Sequence, residues 1–112
     1  MDYELQIARK EQKEAPDDPN AKYRWRIACV RAGVPEEAGF EVGDIVSLTQ
    51  KCVLAKERLW RNCKGRIMGS NDGNLYFIRS FLEYSNPPEQ AEIYECTPLY
   101  SDEIRLLEPQ PR

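Results

Sequence analysis

The sequence predicts an all-β domain, a small barrel of about five strands with an N-terminal β extension and one short helical turn. Three observations carry that expectation. Apolar and polar residues alternate in several short stretches, as half-buried strands require. Asn-Asp-Gly turn chemistry separates two of those stretches. The chain has 112 residues, 41% of them hydrophobic, including Trp25, Trp60, six tyrosines and three phenylalanines, which suits one core.

Tyr3, Leu5 and Ile7 alternate with Glu4, Gln6 and Ala8, and this period of two is read as a strand, although the stretch also fits the start of a charged helix. Lys10 to Ala21 has no apolar period, and the cluster Pro16-Asp17-Asp18-Pro19-Asn20 predicts an exposed, mobile loop over residues 10–21. From Tyr23 to Arg31 a second alternation sets Trp25, Ile27 and Cys29 against Arg24, Arg26, Ala28 and Val30, the pattern of a strand.

Gly33, Pro35 and Gly39 make Ala32 to Phe40 a turn-rich connection, leading through Val42-Gly43-Asp44 into a strand from Ile45 to Thr49. Gln50 to Asn62 is a long connection with a helical turn expected around Leu54 to Trp60. Lys64 to Gly69 and Leu75 to Phe81 read as two strands of a hairpin, because positive φ costs glycine little and is tolerated by Asn and Asp at the tip. Asn86-Pro87-Pro88 marks a loop. Beyond it come a strand over Ala91 to Cys96, a single helical turn over Thr97 to Asp102 and a last strand over Glu103 to Leu107. The expected organisation is a single domain over residues 1–112 with its barrel core at 42–108.

Read as a unit, Val42 to Leu107 resembles the Src-homology-3-like small β-barrels: a Gly-Asp step into a strand, a long loop, Gly65-Arg66-Ile67-Met68-Gly69, a hairpin, another strand, one turn, then Asp102-Glu103-Ile104. That fold includes peptide-binding modules, nucleic-acid-associated domains and the small plasmid-encoded trimethoprim-resistant dihydrofolate reductases. The reductases line their pore with Val-Gln-Ile-Tyr, and Ala91-Glu92-Ile93-Tyr94 stands in the comparable place. Ile93 and Tyr94 match, whereas Glu92 puts negative charge where an anionic cofactor would lie. The peptide modules' Ala-Leu-Tyr-Asp-Tyr-like segment and paired tryptophan are missing.

Histidine is absent, which removes the commonest general base and the usual partner of Ser and Cys nucleophiles. Gly65, Gly69 and Gly73 bracket a strand and a turn, where a phosphate loop needs a Gly-Lys-Ser/Thr run leading into a helix. Cys29, Cys52, Cys63 and Cys96 form no Cys-x-x-Cys pair and lie among apolar neighbours, so free thiols are expected and a structural zinc is not. The sequence therefore predicts no enzyme, no cofactor and no metal. A polar N-terminus and the lack of an apolar run of roughly 18 residues predict a cytoplasmic chain without membrane partners.

Net charge is −3, but the charges are segregated. Lys22 to Arg31 holds four cations and no acid, and Lys51 to Arg66 holds six cations against Glu57 alone. Arg24, Arg26, Lys56, Arg58, Trp60, Arg61, Lys64 and Arg66 are thus the candidate partner-binding residues, with the basic loop as the working surface. The expected function is a non-catalytic interaction or assembly module that binds a protein through the basic loop, with a nucleic-acid-associated barrel as the alternative, a small-barrel NADPH-dependent reductase as the second alternative, and a homo-oligomer left open. Convergence of Arg24, Arg26, Arg58, Arg61 and Lys64 on one face free of carboxylates would favour nucleic acid.

Overall fold

The structure, a computed structural model, describes residues 3–52, 64–71, 74–80 and 96–111. These residues form a mixed α/β fold, which corrects the all-β expectation. Helices α1 (Tyr3–Glu14), α2 (Pro19–Arg31) and the four-residue α3 (Pro35–Ala38) precede strands β1 (Ile45–Leu48), β2 (Lys64–Ser70), β3 (Leu75–Ser80), β4 (Thr97–Tyr100) and β5 (Ile104–Glu108).

Both N-terminal alternations are helices, and burial shows why. In α1 the buried residues are Leu5 and Ala8, one turn apart, while Tyr3 and Ile7 are 73% and 59% exposed. A strand would have placed Tyr3, Leu5 and Ile7 on one side. In α2 Ala21 and Ala28, two turns apart, are buried together with Arg26 and Cys29, and Ile27 is only partly covered. The Pro-Asp-Asp-Pro run expected to be a loop contains a helix start: Asp18 Oδ1 accepts a hydrogen bond from Asn20 N at 3.0 Å, and Pro19 occupies the first turn. Residues 10–21 thus comprise the end of α1, a tight turn and the beginning of α2.

The strands form one antiparallel sheet in the order β4-β3-β2-β1-β5. β4 and β5 lie at opposite edges, so among the described residues the barrel is not closed. Val46 pairs with Gly65, Ile67 with Ile78, Tyr76 with Leu99 and Leu48 with Ile104. Asn71 N donates to Leu75 O at 3.2 Å across the β2–β3 turn, whose Asp72 and Gly73 lie outside the described residues. The helical turn expected over Thr97 to Asp102 is instead β4 followed by a short 3-10 turn, Ser101–Glu103. The turn expected at Leu54 to Trp60 and the strand expected from Ala91 lie outside the described residues.

Two apolar clusters hold the layers. Leu5, Ala8, Ala28, Cys29, Ala38 and Leu106 join the helices to β5, and Val46, Cys52, Ile67, Ile78, Leu99 and Ile104 form the sheet core. Phe40 packs against both and meets Tyr76 edge-to-face with centroids 5.3 Å apart. Gly65 is required by close packing: a Cβ there would stand 2.6 Å from Ile78 Cγ2 and 3.0 Å from the Arg79 carbonyl oxygen. Cys29 is a buried free thiol, Cys52 is buried and Cys96 half-buried, and Cys63 lies outside the described residues.

Candidate functional site

The two arginines of α2 that the sequence groups together part company in the structure. Arg26 turns inward and Arg24 outward. The Arg26 side chain is 2% exposed and forms a two-pronged pair with the fully buried Asp44: Nη1 donates to Oδ1 at 2.8 Å, and Nη2 donates to Oδ2. Its remaining donors reach Ala38 O, Gly39 O and Glu41 Oε2 at 3.1–3.4 Å. Asp44 also accepts from Glu41 N and Gln110 N, each at 2.8 Å. One carboxylate therefore ties α2, the approach to β1 and the C-terminal segment together. Burial alone would lower the Arg26 pKa, but the hydrogen bond and charge of Asp44, with Glu41, outweigh it and raise the value. Arg26, named as a candidate contact from its charge, is buried here and acts as a structural latch.

A second polar cluster joins α1, α2 and α3. Glu37 accepts from Arg9 Nε at 2.7 Å and Trp25 Nε1 at 3.2 Å, with Cys29 Sγ at 3.7 Å. The Arg9 hydrogen bonds, helped by Trp25, hold the Glu37 carboxyl down at about 2. Burial, reinforced by the Glu37 charge, pushes the Cys29 thiol up to about 11. A thiol so placed stays protonated at neutral pH and is a poor nucleophile.

The outward side of α2 presents Tyr23, Ile27 and Arg31 at successive helical turns, and these three residues line two adjoining grooves. One, of about 570 Å³, lies between α2 and the sheet, where Val30, Ile45, Arg66 and Leu107 complete it. The other, of about 590 Å³, lies between α1 and α2 over Ile7 and Ala8. Glu4 and Arg31 pair at 2.9 Å at one end of this second groove, and Glu11 and Arg24 at 3.1 Å at the other. That pairing also fixes α1 and α2 as antiparallel. A third hollow, of about 530 Å³, lies by Phe40 and Tyr76 and takes in Lys51, the first cation of the basic segment.

Of the sequence-predicted residues, Arg24 and Arg66 are brought to the two-groove cleft, one to each groove. Lys64 opens β2 opposite Ser47, is exposed and lines neither groove. Lys56, Arg58, Trp60 and Arg61 lie outside the described residues. Arg24 and Arg26 sit on different sides of α2, each with carboxylate partners, so they form no carboxylate-free basic face with Lys64. Sequence reasoning missed Ile7, Ile27 and Arg31 as surface-forming residues. Their signal was the four-residue step Tyr23, Ile27, Arg31 together with Glu4, Ile7, Glu11, both hidden by reading a period of two. Among the described residues, no group of three or more potential ligands is placed to hold a metal ion, and no helix is long and apolar enough to cross a membrane. No family model, no curated protein and no solved structure matches the chain.

Proposed function

We propose that this chain is a non-catalytic interaction or assembly module whose contact surface is the cleft around Tyr23, Ile27 and Arg31. The observation that supports it is the continuity of the two grooves. They share three residues and have Ile7, Ile27, Val30, Ile45 and Leu107 along their length, interspersed with charged side chains. A connected cleft that combines apolar area with polar groups suits a protein-binding surface. Its cations, Arg24, Arg31 and Arg66, are matched by Glu4, Glu11 and Glu108, a balance that suits a polypeptide better than a polyphosphate. The likeness to Src-homology-3-like barrels is kept as a proposal for the sheet alone, supported by the pairing of β5 with β1 and the 3-10 turn between β4 and β5.

A photo-crosslinking amino acid at position 23, with position 100 as control, tests this reading in the native host. Tyr23 lines the cleft, while Tyr100 is an exposed aromatic on β4. Protein adducts are expected at 23 and few at 100. Adducts to nucleic acid alone, or protein adducts only at 100, would contradict the reading.

A further inference from the structure

We infer that the occupant of the α1–α2 half of this cleft is a second copy of the chain, forming a two-fold dimer in which the two helical hairpins make a four-helix bundle. The inference rests on the proposed contact function and names its partner. A two-fold interface must be self-complementary, because each surface meets its own copy. The outward face of the hairpin has that property. α1 contributes the acids Glu4 and Glu11, α2 contributes the bases Arg31 and Arg24 at the same two levels, and Ile7 and Ile27 lie between, with Tyr23 beside the Glu11–Arg24 level.

Two orientations place such hairpins face to face. With the two-fold axis across the helices, α1 lies over α1 of the second copy, Glu4 meets Glu11, and like charges oppose each other. With the axis along the helices, α1 lies over α2 of the second copy, so Glu4 reaches the second Arg31 and Glu11 the second Arg24. Every neighbouring pair of helices is then antiparallel, the up-and-down arrangement of four-helix bundles. The two existing ion pairs are half exposed, with side-chain exposures of 56% and 67% for Glu4 and Arg31 and of 44% and 55% for Glu11 and Arg24. They contribute little to the single chain and remain open to sharing. In the dimer each level becomes a cluster of two acids and two bases. The same orientation places the exposed Ile7 of one copy over Ile27 of the other, between the two charged levels.

Sedimentation equilibrium of the purified full chain over a range of concentrations tests the inference. A reversible dimer is expected. Ile7→Glu, at an already exposed position, should raise the dimer Kd by roughly tenfold or more, the effect of taking one large aliphatic side chain out of an interface and putting a charge there. Two charge-reversed chains make the decisive pair, one with Glu4→Arg and Glu11→Arg, the other with Arg24→Glu and Arg31→Glu. Each should be a monomer alone, and the two mixed should form a one-to-one heterodimer, which also shows that both variants fold. A wild-type monomer at all concentrations would overturn the inference, as would a dimer indifferent to Ile7→Glu and to both reversals. Protein crosslinks at position 23 in the host alongside a monomeric purified chain would overturn the dimer alone and leave the contact reading standing.

Discussion

The helical layer and the sheet solve the same packing problem with different materials. The cluster beneath the helices is built largely from small side chains, Ala8, Ala28, Cys29 and Ala38, and is fastened by polar groups: Arg26 with Asp44, and Glu37 with Arg9 and Trp25. The sheet core is branched and aliphatic, with Val46, Ile67, Ile78, Leu99 and Ile104 interdigitating. Small residues let helices approach closely but bury little area each, so the helical layer depends on how well its buried charges are satisfied. The sheet depends on volume.

The largest expected effect follows from breaking the latch. Arg26→Met leaves Asp44 buried without its cation and should cost about 3–5 kcal/mol in urea unfolding, the usual range when one partner of a buried pair is removed. Arg26→Met combined with Asp44→Leu should cost less than the single change, since no charge is then stranded. A double variant as damaged as the sum of the singles would show that the two side chains are not coupled and would remove the latch.

In the sheet, Ile67→Ala should cost about 2–4 kcal/mol, through lost burial and the cavity left behind, with no dependence on pH. A loss well below ~1 kcal/mol would mean that the sheet core collapses around vacancies, and would erase the contrast with the helical layer.

A smaller effect separates the layers by pH. The Glu37 pKa is lowered by folding from 4.5 to about 2, so its contribution to stability is complete above about pH 4.5 and is lost as the pH falls toward 2. Because the side chain is 33% exposed, solvent screening reduces the effect to on the order of 1–2 kcal/mol. Glu37→Gln should flatten that part of the acid-unfolding curve and leave the region above pH 5 unchanged in slope. An acid limb identical in both proteins would remove Glu37 from the account.

Most of the sheet was legible in the sequence, because β1, β2, β3 and β5 are short stretches flanked by turn residues and their alternation is real: Val46, Ile67, Ile78, Ile104 and Leu106 all point into one core or the other. The helices were not legible by the same rule. Trp25, Ile27 and Cys29 fall two apart by coincidence, and the fully buried residue among them and their neighbours is joined by Arg26, which a polarity pattern places outside. The decisive local sign was Asp18-Pro19, a helix cap and first turn that sits in a run otherwise typical of loops. Of the candidate site, Arg24 and Arg66 were found from charge alone. Ile7 and Ile27 become surface residues only once α1 and α2 are helices. Arg26 could not be separated from Arg24 in the sequence, because its partner Asp44 lies 18 positions away and serves as a turn residue in any local reading.

On the proposed reading α2 divides its work, with an inward latch at Arg26 and an outward contact surface at Tyr23, Ile27 and Arg31. Amide resonances of the full chain, followed by NMR on serial dilution, test that division most directly. The expected result is concentration-dependent shifts at Ile7, Glu11, Tyr23, Ile27 and Arg31, with Arg26, Asp44, Val46 and Ile67 unmoved. Shifts gathered on β4 around Tyr100, with Tyr23, Ile27 and Arg31 unmoved, would contradict it, and spectra that do not change with concentration would overturn the dimer alone.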